Sequence, residues 1–240
     1  MKKTVLLIAL LLLILLFTSC DLFTTDSTYS VGDTGPAGGI IFYDNDADNE
    51  TGNADGLDSS IEGWRFLEAA PGDLFQRYEV PEILGDEGFR QWFKFGYHRE
   101  GSHTSNLYVN ETTGYSETNC TRIGIGEGLN NTNLLVADMG EMAYIDYIGQ
   151  QKYIYAAGLA SRLTYGTYSD WYLPSLNELK LIYSNRSILN TFDTMPGTNY
   201  YWSSSEGDMA NSAYRFHFND GSFEQAIRKE DGGIRVIRQF

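Results

Sequence analysis

The N-terminal sequence constrains the fold most strongly, because it distinguishes a leader from the part of the chain that folds. Lys2 and Lys3 precede an unbroken apolar run over residues 5–17, and Thr18-Ser19-Cys20 follows it. A basic start, a short apolar core and small residues before a cleavage point are typical of a secretory signal peptide. A membrane-spanning helix takes about 20 apolar residues, so the run is too short to remain as one. We therefore interpret residues 1–19 as a cleaved signal peptide.

Cys20 directly follows this leader and resembles the lipidated cysteine of a bacterial lipobox. Phe17 departs from the leucine that is usual three residues before the cysteine, and the alternative is an ordinary leader with an incidental Cys20. The lipobox predicts a lipidated cysteine followed by a polar tether, over residues 20–30. We expect a single domain over residues 31–240. More than one acyl chain gives stable anchoring. The expected location is the bacterial cell envelope, on a membrane facing the periplasm or the exterior.

Charge and cysteine content exclude several classes of protein. The formal net charge is -15, which argues against nucleic acid and anionic headgroups as partners, since both bind basic surfaces. The chain has 2 cysteines, so lipidation of Cys20 leaves Cys120 without an intrachain partner and excludes a disulfide scaffold. We favour an inert thiol over a catalytic nucleophile for Cys120. The 13 Phe, 17 Tyr and 4 Trp can supply the core instead.

Hydrophobic periodicity predicts a mixture of strands and helices. We expect strands over residues 40–43, 63–69 and 234–240, helices over 134–148, 151–165 and 175–187, and a C-terminal hairpin with a two-residue turn at Asp220-Gly221. The helix at 175–187 has the clearest start, because Ser175 and Glu178 have capping-box spacing. Residues 72–128 predict long ordered loops with short strands.

Several phrases then occur in an order that resembles one family. They are VGDTGPAGGIIFY (31–43), GWRFLEAAP (63–71), SDWYLPSLNEL (169–179), YWSSSE (201–206) and IRVIRQF (234–240). The chain resembles the DUF1566 family, also described as the C-terminal domain of the Legionella collagen-like adhesin, from about Val31 to Phe240. The resemblance implies an α+β fold similar to C-type lectins and formylglycine-generating enzymes, with a small twisted antiparallel sheet, a few helices and long loops. It does not fix a function.

An acidic loop gives a candidate calcium site, and calcium is the cofactor that the sequence proposes. The candidate ligands are Asp44, Asp46, Asp48, Glu50 and Asp55. They place hard oxygen atoms at the alternate spacing of a calcium loop, with Asp55 at position twelve. Asn49 replaces the usual glycine at position six, and no flanking helices are predicted. The alternative, which we favour, is a solvated acidic loop without metal.

The tryptophan motifs give a candidate glycan site. Aromatic faces stack on sugar rings, while carboxylate and amide oxygens accept protons from sugar hydroxyls. The candidate residues are Trp202, Glu206, Asn219 and Asp220. In the structural alternative, which we favour for each tryptophan, Trp171 and Trp202 pack the core and the nearby serines satisfy buried backbone. Asp170 and Glu206 would then bond to loops or to Arg235 and Arg238.

We therefore expect a non-enzymatic, membrane-anchored lipoprotein with a lectin-like ligand-binding domain, glycan-binding or adhesive in role. The expected partners are a membrane, through the lipid, and an extracellular glycan or protein. Acidic charge favours a neutral sugar or a protein over a sulfated polymer. Two alternatives stay open. One is an envelope enzyme with paired carboxylates such as Glu178 and Glu206, and the other is a structural or protein-binding envelope lipoprotein.

Overall fold

The described part of the chain covers most of the predicted domain and little of what precedes it. The computed structural model describes residues 29–45, 63–74, 93–95, 122–139, 143–146, 149–152, 155–189, 200–209, 212–228 and 230–240. The leader, Cys20, most of the tether, Cys120 and four of the candidate calcium ligands lie outside these residues. Val31–Phe240 forms one compact unit. The leader and its lipidation stay predictions.

Short strands and helices follow one another in an α+β arrangement. In chain order they are β1 (Ile40–Asp44), β2 (Phe66–Ala69), β3 (Phe93–Lys94), α1 (Gly128–Met139), β4 (Ala143–Asp146), β5 (Gly149–Lys152), α2 (Ala156–Ala160), α3 (Leu176–Ser184), β6 (Tyr200–Glu206), β7 (Ser212–His217), β8 (Phe223–Ile227), β9 (Asp231–Gly232) and β10 (Ile237–Gln239). None of the helices in the described part combines the length and apolarity that a membrane crossing needs.

The described strands divide among several antiparallel sheets, whereas the resemblance implied one. Two sheets have three strands, in the orders β1-β2-β10 and β6-β7-β8, and β3-β9 and β4-β5 form two-stranded sheets. Register shifts interrupt the ladders β1-β2 and β6-β7, and such bulges bend a strand away from regular pairing. Short extended segments outside the named strands connect the sheets. One of them contains Tyr172, which forms an isolated β-bridge with Ile237. The more specific lectin-like topology stays an expectation.

Two of the predicted helices have the wrong bounds. α1 begins at Gly128, and residues 143–146, which were predicted to be helical, instead form β4, which pairs antiparallel with β5. α2 has only 5 residues. Beyond it the chain makes a tight turn, in which Tyr165 and Tyr168 exchange backbone hydrogen bonds of 2.9 and 3.1 Å. Gly166 has a φ of 62°, which favours glycine, so this turn ends any helical continuation.

The clearest sequence predictions are confirmed with small changes. Ser175 and Glu178 form the predicted capping box, and α3 ends at Ser184 rather than at residue 187. β7 and β8 form the predicted hairpin, with Phe216 opposite Phe223. Its turn is longer than the two residues expected. The hydrogen bond that closes the turn runs from His217 N–H to the carbonyl of Ser222, at 2.8 Å. The strands predicted at 40–43, 63–69 and 234–240 are found as β1, β2 and β10, although β2 begins only at Phe66 and β10 covers only Ile237–Gln239.

Three of the motif segments run between two apolar clusters. Trp171, Trp202 and Val236 belong to the tryptophan cluster, which also contains α2. Their sequence neighbours Tyr172, Tyr201 and Ile237 belong to the α3 cluster, which contains the buried face of α3. Successive side chains of an extended segment point to opposite sides, so each motif is buried on both faces. This double burial explains why the phrases that carry the resemblance are so rich in aromatic and branched residues.

Candidate ligand site

Glu68 is a buried carboxylate that organises the turn at residues 35–39. Its Oε1 accepts the backbone N–H of Gly39 at 2.7 Å and that of Ala37 at 3.1 Å. Arg238 Nη1 donates to Oε2 at 3.1 Å. A Cβ at Gly35 would lie 2.4 Å from the carboxyl carbon of Glu68, so only glycine fits this approach. The protein itself uses this carboxylate, which is fully buried.

Glu178 does the same for the glycine loop before α1. Its Oε1 accepts the N–H of Gly126 at 2.9 Å, and its Oε2 accepts the N–H of Ser175 at 2.6 Å. The Ser175 hydroxyl donates to the carbonyl of Gly124 at 2.6 Å. Burial raises the pKa of Glu178 to about 7, although the hydrogen bonds from Ser175 and Gly126 oppose this rise. This carboxylate is therefore a structural group that titrates near neutral pH.

The two carboxylates of the enzyme alternative are both buried. Glu178 has no exposed surface, and Glu206 is 3% exposed. Arg228 Nη2 lies 2.5 Å from Glu206 Oε1, in an ion pair buried on both sides. Glu206 was expected to bond to loops or to Arg235 or Arg238, and its partner is instead an arginine at the end of β8. Neither carboxylate is presented to a substrate in this structure.

Trp202, the aromatic member of the predicted glycan site, lies in the core. It is fully buried and meets Phe95 edge-on, with 5.6 Å between ring centroids. A sugar needs an exposed ring face for stacking, and this ring offers none. The adjacent serines satisfy buried backbone, as Ser203 Oγ donates to the carbonyl of Tyr214 at 2.8 Å and Ser205 Oγ to that of Arg122 at 2.8 Å. This geometry matches the structural interpretation of the motif.

Asn219 and Asp220 lie together in the exposed turn between β7 and β8. Asp220 Oδ1 accepts the N–H and the hydroxyl of Ser222 at 2.9 and 2.7 Å, and pairs with His217 Nδ1 at 2.9 Å. The hydrogen bonds from Ser222, with a smaller effect of His217, lower the pKa of Asp220 to about 2. Tyr200 pairs with His217 at this end of the sheet, and Glu206 is at the other end of β6. The structure therefore does not bring the four predicted glycan residues together.

The acidic loop is described only at its first candidate ligand. Asp44 accepts two hydrogen bonds from Arg65, at 2.9 and 3.1 Å. Asp46, Asp48, Glu50 and Asp55 lie outside the described residues. Within the described ranges, His, Cys, Asp and Glu side chains form no group of three or more that could hold a metal ion. Calcium binding by the whole loop stays a prediction.

A polar cavity of about 330 Å³ lies beside the Asp170-Trp171 motif. Its walls come from α1, the residue after α2, the motif itself and β10. The polar lining residues are Thr132, Asn133, Ser161, Ser169, Asp170 and Gln239. Leu129 and Trp171 add apolar surface. Ligand pockets in proteins measure roughly 300–1,000 Å³, so this cavity lies at the small end of that range.

Asp170 is the charged group of this cavity. Arg238 binds it in a bidentate pair, with Nε 2.9 Å from Oδ1 and Nη2 2.7 Å from Oδ2. This contact confirms one of the pairings considered from the sequence. The Asp170 side chain keeps 50% of its surface exposed, so its oxygens can accept further hydrogen bonds. The guanidinium also lies 4.4 Å from the centroid of the Tyr168 ring, which holds the pair in place.

Two other lining residues have buried polar atoms without partners. Trp171 is 2% exposed, and its Nε1 has no hydrogen-bond acceptor among the described residues. Gln239 Oε1 likewise has no donor there. The large majority of buried side-chain polar atoms in proteins are hydrogen-bonded, so these two atoms are exceptions. Both atoms are covered by the surrounding protein, so neither is presented to the cavity.

The sequence of this chain matches one known family model. A family model described as the Lcl C-terminal domain matches residues 106–238, which is more than half of the chain. The chain belongs to the Lcl C-terminal domain family. No curated protein matches the chain. The matched segment of the Lcl domain includes every cavity residue except Gln239, and it begins later than the resemblance, which was expected from about Val31. The family is consistent with a bacterial surface or adhesin-like protein.

The Asp170-Trp171 motif is recognisable in the sequence, but the cavity beside it is not. Asp170 and Trp171 belong to a phrase that carries the family resemblance, whereas the predicted glycan residues lie elsewhere in the Lcl domain. Asn133, Ser161 and Gln239 were missed, because they are ordinary polar residues in separate segments of the chain. The one available signal was that Asp170 adjoins a tryptophan and has a candidate arginine partner in the last strand.

Proposed function

We propose that this protein is exported, lipid-anchored in the bacterial envelope, and uses its Lcl domain to bind an extracellular ligand, with a neutral glycan as the first candidate. Family membership carries the proposal, because it relates the chain to surface and adhesin-like proteins. The leader that ends at Cys20 supports export and anchoring. The polar cavity in the matched segment supports ligand binding, in the lectin-like sense that the resemblance implied.

The burial and pairing of the carboxylates favour a binding role over a catalytic one. Glu178 and Glu206 are buried and engaged with other groups of the protein. Asp170 is accessible but is held in a bidentate ion pair. General acid-base chemistry needs a group that can exchange its proton with a bound substrate. We therefore propose recognition without chemistry at this cavity.

The anchoring part of the proposal is tested by metabolic labelling. Bacteria that express the full chain are grown with an alkyne fatty acid, and the protein is then examined for the label. We expect labelled wild type, no label on Cys20→Ala, and full label on the matched control Cys120→Ala. Label that persists on Cys20→Ala, or an unlabelled wild type, would contradict lipidation at this residue.

The ligand part is tested with the full chain in detergent on an array of neutral and sulfated glycans and extracellular proteins. Binding to neutral glycans, in preference to sulfated ones, is the expected result, since the net charge of -15 repels polyanions. Preference for sulfated glycans would overturn the neutral-ligand assignment. A blank array for both glycans and proteins would count against a ligand-binding domain.

A protein ligand is the second candidate, and a specific surface favours it. Phe223 and Ile227 on β8 are 49% and 46% exposed, and Met209 beside them is 58% exposed. β8 is an outer strand of its described sheet, and exposed apolar groups on such strands are frequent sites of protein contact. Photocrosslinking from position Ile227 in intact cells would give discrete adducts if a protein binds here, and none if the glycan assignment is complete.

A further inference from the structure

We infer that β8 pairs antiparallel with β8 of a second copy of this chain, about a two-fold axis at Gln225. The pairing uses the edge of β8 that faces away from β7. The inference names the occupant of the exposed apolar surface on β8, so it goes beyond the proposed function and does not rest on it. Three observations carry it. They are the exposure of this outer strand, the direction of its backbone groups, and a residue order that is complementary to itself.

β8 differs from the other outer strands of the two three-stranded sheets. Most residues of β1, β6 and β10 are buried, whereas three of the five residues of β8 are exposed. Phe223, Ile227 and the nearby Met209 are three of the five large apolar side chains that are exposed in the described part of the chain. Proteins usually blunt an open edge with proline or a bulge. β8 has no proline, and its pairing with β7 runs without a register shift, so this edge is regular enough to accept another strand.

The backbone of β8 directs hydrogen-bonding groups outward at alternate residues. His217 N–H donates to the carbonyl of Ser222, so these two residues form a hydrogen-bonded pair of the β7-β8 ladder. Such pairs alternate with non-hydrogen-bonded pairs in an antiparallel ladder. Phe223, Gln225 and Ile227 therefore form non-hydrogen-bonded pairs with β7, and their backbone groups point away from it. This row is what an added strand would bind.

The residue order of β8 is complementary to itself in the antiparallel direction. A two-fold axis at Gln225 places this residue opposite its own counterpart and Phe223 opposite Ile227 of the second copy. All three residues carry outward backbone groups, so these pairs are hydrogen-bonded and in phase. The two symmetry-related pairs of an aromatic with a β-branched side chain are of a kind that stabilises sheets. Contact of the same surface on both subunits is also the commonest arrangement in oligomers.

The same residues disfavour the neighbouring registers. An axis between two residues would set outward backbone groups against inward ones. An axis at Glu224 would place this carboxylate directly opposite itself, and like charges in that position destabilise a sheet. An axis at Ala226 would place Phe223 beyond the end of β8 in the second copy, where the carbonyl of Ile227 already accepts the N–H of Glu230 at 2.8 Å.

The charge along this edge is neutralised within each copy. Arg215 Nη2 lies 2.6 Å from Glu224 Oε1 and 2.7 Å from Glu230 Oε2. In the inferred register, Glu224 faces the small apolar residue Ala226 of the second copy. The remaining repulsion comes from the net charge of -15 on each chain, which salt screens. Raising the salt concentration should therefore strengthen this dimer.

The first test is photocrosslinking of the full chain in detergent. p-Benzoylphenylalanine is placed at position 223, where it keeps an aromatic ring. We expect a product of twice the mass of the chain, in which the label is joined to the peptide that contains Ile227. A mixture of isotope-labelled and unlabelled chains shows that the product joins two copies. The control is the same amino acid at Ile123, which is 43% exposed but lies outside β8, and it should give no such product.

The second test measures self-association by sedimentation velocity over a dilution series. Ile227→Lys places a charge opposite Phe223 twice in each dimer and should weaken the dimer at least about tenfold. Ile123→Lys is the matched control and should leave the dimer unchanged. Two anchored chains that merely share a micelle would do so equally in both variants. Thermal melts of the two variants check that each is folded.

Each other result overturns the inference in a distinct way. A chain that is monomeric at every concentration and gives no crosslinked product would exclude the dimer. A crosslink from position 223 to the peptide around the same position of the second copy would exclude the antiparallel register. Equal weakening by Ile227→Lys and Ile123→Lys would show that association does not use β8.

The remaining outcomes separate this inference from the proposed function. In intact cells, crosslinks from position 223 to a different protein, without a product that joins two copies, would assign the surface to a protein ligand. Glycan binding on the array by a chain that stays monomeric would leave the proposed function intact while the dimer fails. A dimer with a blank array would do the reverse.

Discussion

Glu68 and Asp170 bind the same guanidinium, that of Arg238, and yet they belong to different kinds of site. Glu68 is fully buried and accepts backbone N–H groups of the 35–39 turn, so the protein uses its lone pairs. Asp170 is half exposed, and its described hydrogen bonds come from Arg238 alone. Burial alone therefore does not mark a functional carboxylate. What distinguishes the two is acceptor capacity that remains available to a ligand.

Arg238 can serve both carboxylates because it stays charged between them. Burial acts to lower the pKa of Arg238, but the hydrogen bonds that it donates to Asp170 and Glu68, together with the negative charges of these carboxylates, outweigh burial and raise it. The tertiary structure thereby joins the N-terminal turn, β10 and the cavity through one side chain. Substitution of Glu68 should lower the stability of the fold, whereas substitution of Asp170 should change ligand selectivity.

The largest expected effect is that of Glu68→Ala. Removing a buried, paired carboxylate leaves Arg238 partly uncompensated and two N–H groups without an acceptor, which should lower the free energy of unfolding by about 3–5 kcal/mol. The matched control is Glu127→Ala, which removes a partly exposed pair with Arg122 and should cost less than about 1 kcal/mol. Denaturant unfolding of the full chain in detergent measures both. Similar costs for the two variants would refute the structural assignment of Glu68.

A somewhat smaller effect is expected from the pH dependence of Glu178. Its folded pKa of about 7 lies above the ordinary 4.5, so the folded state binds the proton more tightly than the unfolded state. The stability from this group is therefore fully present below the unfolded pKa and is lost as pH rises through the folded pKa. The shift corresponds to about 3 kcal/mol at most.

Comparison of wild type with Glu178→Gln isolates that contribution from the other carboxylates. We expect the unfolding free energy of wild type, relative to the variant, to fall as pH rises from about 4.5 to above 7. The amide keeps the size of the side chain but does not titrate. A constant difference across this pH range would show that the folded and unfolded states bind the same number of protons at Glu178, so that its pKa is not raised by folding.

The smallest stability effect is expected for Asp170→Asn. The pair with Arg238 is half exposed, so its loss should cost about 1 kcal/mol or less by denaturant unfolding. A cost as large as that of Glu68→Ala would mean that Asp170 is a structural carboxylate like its neighbour, and the contrast between them would disappear.

Sequence patterns predicted the secondary structure correctly where residues close together in the chain determine it. The capping box of Ser175 and Glu178 and the alternation over β7 and β8 both depend on residues a few positions apart. The predicted helices at 134–148 and 151–165 had the wrong bounds, because strand pairing and the Gly166 turn outweighed a helical pattern of apolar residues. Trp202 illustrates the same limit for the site, since its motif does not reveal whether the ring is covered.

The sequence by itself determined the leader pattern, the acidic charge, the family phrases and the start of α3, since each is written in adjacent or closely spaced residues. Tertiary structure decided which carboxylates are used by the protein and which remain available. Glu68, Asp170 and Arg238 are up to 170 positions apart, and the cavity combines segments from α1 to β10. Burial and hydrogen-bond completion depend on the whole three-dimensional neighbourhood of a side chain, which spacing along the chain does not specify.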